Sequence, residues 1–142
     1  MNIQRVLRTD AEKAFIVCRN ITGTAISDGV PVEWDVVSVT DGNAVTQCKS
    51  SATASLFVGL TDAIMADSAY GLVQVYGFRT SAYLSASSGV STPGSFCRAV
   101  SGHLKPVTLA AATSSGHTYV VLMATNVLSA VISYENVFIR AL

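Results

Sequence analysis

The chain is divided into short apolar runs rich in Val, Ile, Tyr and Phe, cut about every eight to twelve residues by Gly, Ser, Asp or Pro. Runs this short do not suit core helices, and β-branched and aromatic side chains fit a pleated surface. The pattern predicts an all-β fold, a single compact β-barrel or β-sandwich of about 8–10 short, mainly antiparallel strands with at most one short helix. Expected strands cover residues 3–8, 14–21, 30–39, 44–48, 56–60, 71–84, 95–100, 104–110, 117–124 and 136–142. At 142 residues the chain has the usual length of one domain and can bury a core without staples. Residues 1–142 are therefore expected to form a single β domain, with 1–9 available as an N-terminal arm.

Alternation within the runs assigns faces. Val30, Val32, Trp34 and Val36 share one side of their strand, so Trp34 is expected to anchor the core, with Glu33 and Asp35 turned to solvent or a partner. Pro31 cannot donate to a ladder and belongs at a strand start or edge. The run 72–78 is apolar on both faces, which predicts a central strand with a bulge or bend at Gly77. Asp28-Gly29 and Asp41-Gly42-Asn43 are expected as turns. Residues 86–95 and 110–116 are expected as loops. Thr9 and Glu12 have the spacing of a capping box, although the β formers Phe15, Ile16 and Val17 that follow favour a strand connection. No repeat of fixed period is apparent.

Charged residues make up 13% of the chain, about half the roughly 25% of ordinary soluble domains, while hydrophobic residues make up 50%. A surface so poor in charge is expected to be covered by other subunits. No window approaches the roughly 20 apolar residues of a spanning helix, because 119–131 is interrupted by Thr125, Asn126 and Ser129. Neither a membrane nor a secretory route is expected, and the protein is expected to be made and kept in a cytoplasm. Nine basic and nine acidic residues cancel, and the arginines are scattered, so direct nucleic-acid binding is not expected.

Motifs that carry chemistry are missing. His103 and His117 have no ligand-spaced partner, and Cys18, Cys48 and Cys97 form no CxxC pair, so they read as buried thiols. GxSxG, SxxK, GxxxxGK[ST] and GxGxxG do not occur. Glu33 and Asp35, two apart on one strand, suit a solvated edge better than a glycosidase pair. Asn20-Ile21-Thr22 fits a glycosylation pattern without a secretory context. The expectation is a protein that is not an enzyme, with no catalytic residues, cofactor or metal.

The stretch Val58-Gly59-Leu60-Thr61-Asp62-Ala63, followed after a short connection by Tyr70-Gly71-Leu72-Val73-Gln74-Val75-Tyr76-Gly77, resembles tailed-phage head decoration (capsid cement) proteins. Those small β domains carry a VG(L/V)(T/A)DA strand end before a G…V.V.G strand. The resemblance implies a structural virion component, located on the capsid surface, that binds the major capsid protein as a homo-oligomer, often a trimer, and stabilises the shell. Another phage assembly domain (tail-tube, head-completion or fibre-associated) and a small ligand-binding barrel are the alternatives. Strand edges and chain ends would serve as connectors. The expected interface residues are Ile3, Arg5, Val6 and Arg8 in the arm, Val90 and Pro93 in the long loop, and Val137, Ile139 and Arg140 in the last strand.

Overall fold

The computed structural model describes residues 12–38, 42–49, 56–85, 93–107, 120–123 and 132–141. The apolar runs become nine strands: β1 (Ala14–Asn20), β2 (Pro31–Trp34), β3 (Ala44–Gln47), β4 (Phe57–Thr61), β5 (Tyr70–Ser85), β6 (Phe96–Val100), β7 (His103–Val107), β8 (Val120–Leu122) and β9 (Ile132–Arg140). They join one sheet in the order β1-β3-β2-β4-β5-β7-β6-β8-β9, and no α-helix forms among the described residues. Two further pairings, β1 with β5 and β5 with β9, close this sheet into two five-stranded barrels that share β5. Of the two architectures expected, the barrel is the one formed. The expected strand 3–8, the expected loop 110–116 and most of the capping box lie outside the described residues, and so does most of the loop 86–95.

β5 can serve both barrels because it is long and bent. Its 16 residues pair with β1 and β4 through the first half and with β9 through the second. The bend is at Gly77, as the sequence predicts, with φ at 104°. A side chain is excluded there, since a Cβ would lie 2.1 Å from the carbonyl oxygen of Glu12. Val73 and Val75 point into the first barrel with Cys18, Val32 and Val45. Ala82 and Leu84 point into the second with Cys97, Leu104, Leu122, Val137 and Ile139.

The two barrels are the same structure built twice. In each, the first strand runs parallel to the third (β1 with β3, β5 with β7), and the other pairings are antiparallel. Main-chain hydrogen bonds repeat as well. Gly29 N–H donates to Thr61 O at 3.0 Å and Gly94 N–H to Leu122 O at 2.8 Å. Thr61 N–H donates to Val30 O as Leu122 N–H does to Ser95 O, and Asp62 N–H to Leu72 O as Met123 N–H does to Asn136 O. Core positions correspond one to one: Val32 with Cys97, Val45 with Leu104, Val73 with Val137, Val75 with Ile139. A repeat is therefore present that no fixed period in the sequence betrays.

Two sequence expectations for β2 need correction. Trp34 does pack on the first core, but it is only partly buried, and Glu33 is 8% exposed instead of facing solvent. Pro31 and Glu33, on the face opposite the first core, are buried as well, so this short strand is buried on both sides. The strand also ends at Trp34, earlier than the run 30–39 suggests. Asp35 Oδ1 accepts hydrogen bonds from the N–H groups of Val37 and Ser38, at 2.9 and 2.6 Å, and turns the chain away from the ladder.

Candidate functional site

Buried polar groups come first, because they must be satisfied or be functional. Asn20, fully buried at the end of β1, donates through Nδ2 to the carbonyl oxygens of Thr24, Met65 and Ala66, and its Oδ1 accepts from Thr22 N–H. Asn20 thereby pins the connections after β1 and β4, which accounts for the residue without glycosylation. Arg79, 6% exposed, lies where β5 passes from one barrel to the other. Its Nη1 donates to Asp62 Oδ1 at 2.9 Å and to Gln74 Oε1 at 3.3 Å, and its Nη2 donates to Asp28 Oδ1. A desolvated guanidinium held by two carboxylates is a structural clamp between the barrels.

The thiols are inert in the same sense. Burial pushes Cys18 up to about 11 and Cys97 up to about 12. Cys48 is raised further, first by burial and then by the nearby Glu33 carboxylate. His103 Nδ1 lies 3.1 Å from the carbonyl oxygen of Ser101 in the exposed β6–β7 turn. Among the described residues no group of three or more His, Cys, Asp and Glu side chains is placed to hold a metal ion.

The surface offers a different kind of site. On the outer face of β1 and β5, Val17 pairs directly with Leu72 and Arg19 with Tyr70, while Phe15 stands opposite Gln74. Val17 is 60% exposed, Leu72 47%, Tyr70 61% and Phe15 38%. Cross-strand neighbours of this type normally cover one another against a core. Among the described residues they form a contiguous apolar face with no other segment packed over its centre, bordered by Arg19.

The expected interface residues divide. Ile3, Arg5, Val6, Arg8 and Val90 lie outside the described residues. Pro93 is exposed in the turn before β6, and Arg140 is exposed at the end of β9. Val137 and Ile139 are corrected: both are fully buried in the second core, since β9 is walled on one side by β5 and on the other by β8, and alternation turns them inward. The apolar face was missed in the sequence although its signal was present: Phe15 and Val17 fall on the opposite side of β1 from Cys18, and Leu72 falls on the opposite side of β5 from Val73. No protein-family model matches the chain, and no curated protein matches it.

Proposed function

We propose that the protein is a structural virion component, a decoration or cement protein that binds the outside of a phage capsid as a homo-oligomer and stabilises the shell, without catalytic activity. The observation that carries this reading is the exposed apolar face of Phe15, Val17, Tyr70 and Leu72 on a chain of which only 13% is charged. Such a face costs solubility unless a partner covers it, and an apolar patch amid weakly charged surroundings suits an interface core. Repetition around a shell then turns modest contacts into firm attachment, because each further copy binds at high effective concentration. The resemblance in residues 58–63 and 70–77 supports the same reading and falls on the end of β4 and the first half of β5, neighbouring strands of the first barrel.

The test is co-sedimentation of purified protein with empty and DNA-filled capsids of the phage that encodes it. Saturable binding at a fixed ratio of copies to capsid protein is expected, and Val17→Asp together with Leu72→Asp should abolish it. Absence of binding to either capsid form would sink the proposal.

A further inference from the structure

Because the two barrels are equivalent, the joint between them can be compared with the same place on the free end of each barrel. Within the chain, the outer row Pro31, Leu60 and Gln74 of the first barrel, in register across β2, β4 and β5, is buried, with Leu60 packed into the second core. The joint is locked by Arg79 at the mouth of the second barrel, held by Asp28, Asp62 and Gln74. The matching row on the second barrel is Phe96, Val121 and Phe138, in register across β6, β8 and β9. All three are apolar and only half-buried, and Tyr76 extends the row by an edge contact with Phe138 at 5.3 Å.

The locking residues also have counterparts. Pro93 precedes Gly94 as Asp28 precedes Gly29, Met123 takes the place of Asp62, and Phe138 that of Gln74. Ile16 pairs with Val73 as Arg79 pairs with Val137, which puts Ile16 at the mouth of the first barrel. Every member of the charged lock is thus replaced at once by an apolar residue, on both halves of the joint, and Pro93 and Met123 are exposed. A free solvent-facing surface has no reason to change all four positions together, whereas a second joint of different chemistry does. A charged lock at one joint and an apolar one at the other also keep the two from being confused.

We propose that the chain binds a second copy of itself head to tail, seating the outer row of its second barrel on the mouth of the next copy's first barrel, with Pro93, Met123 and Phe138 gathered around Ile16. The contact is heterologous, so it closes into a ring or extends as a filament. It stands whether or not a capsid is the final partner.

Sedimentation velocity on the purified full-length chain, without capsids, tests it. The wild type should pass from 14.8 kDa monomer to oligomer as concentration rises through the micromolar range. Met123→Asp and, separately, Pro93→Asp place a charge on the exposed side of the contact, where folding does not depend on them, and each should weaken association by more than about tenfold. Ile16→Arg combined with Met123→Asp recreates the Arg–Asp lock of the internal joint between copies and should restore association. A wild type that stays monomeric, or folded Met123→Asp and Pro93→Asp chains that associate as the wild type does, would overturn the proposal. So would a double variant with wild-type circular dichroism that remains monomeric. Should Ile16→Arg disturb the first core, the two exposed variants decide alone.

Discussion

Tyr83 donates its main-chain N–H to the carbonyl oxygen of Gly29 at 2.9 Å, so a turn of the first barrel fills the strand edge of the second. This contact depends on the missing side chain of Gly29. At φ +71° a Cβ there would lie 2.0 Å from the carbonyl oxygen of Ser81, whereas at Gly94, its counterpart with φ +85°, a Cβ meets nothing within 4 Å. Gly94→Ala should therefore cost only the backbone term, about 1 kcal/mol, while Gly29→Ala should cost that and a steric displacement, about 3 kcal/mol or more. Urea unfolding of the two variants in parallel measures the difference. Equal losses would show that the barrels part easily at this turn.

The Arg79 clamp should behave non-additively. Asp28 and Asp62 are both about two-fifths exposed, so water can replace part of what each gives, and either single Asn substitution should cost about 1 kcal/mol or less. Removing both leaves a guanidinium 6% exposed without an anion, and the double variant should lose about 3 kcal/mol, more than the two singles combined. A double-mutant cycle by chemical denaturation gives the coupling directly, and strict additivity would mean that Arg79 is already adequately hydrated.

Alkali should destabilise the fold through its thiols. Cys18 and Cys97 are raised from 9.0 to about 11 and about 12. Above pH 9 the unfolded chain releases these protons while the folded chain keeps them, so the stability is complete below pH 9 and falls as pH rises towards 11 and 12. Replacing both residues by Ala should reduce that slope in unfolding free energy against pH, with Cys48 supplying part of what remains. In the native state at pH 8, iodoacetamide should label none of the three buried cysteines until denaturant is added.

Core substitutions should separate full from partial burial. Leu104 is fully buried and forms, with Leu84, the parallel β5–β7 pair of the second barrel, so Leu104→Ala should cost about 3 to 4 kcal/mol. Trp34 only flanks the first core, and Trp34→Ala should cost about 2 kcal/mol, below the 3 to 5 of a sealed aromatic site. Thermal unfolding ranks the pair, and a larger loss at Trp34 would place more of its ring in the core than its partial exposure suggests.

Strand positions and turns were legible because they depend on local chemistry. Val and Ile at alternate places, Gly29 and Gly42 in left-handed turns and Gly77 at the bend all leave their mark within a few residues. The duplication was not legible, because its spacing drifts: 65 residues from Gly29 to Gly94, 59 from Val45 to Leu104, 61 from Thr61 to Leu122, 64 from Val73 to Val137. What is retained is inward volume, and Val32 opposite Cys97 shows how little identity that needs. Glu33 departs from the expectation for a related reason. Alternation shows which face of β2 meets its own barrel, but only the tertiary packing reveals that the other face is buried too. Of the candidate surface, Pro93 and Arg140 are exposed, whereas Val137 and Ile139 show that an alternating terminal strand reads the same whether it is an open edge or a core wall.

The strand common to both barrels also bears on how the molecule can come apart. β5 is a wall of each, so no cut in the chain leaves two complete units, and a fragment ending anywhere within it strips one barrel of its closure. Heating should accordingly give a single calorimetric transition, and neither half, expressed by itself, should hold a native-like shape. The last strand of the first unit is the first strand of the second, which makes the molecule indivisible despite its two centres.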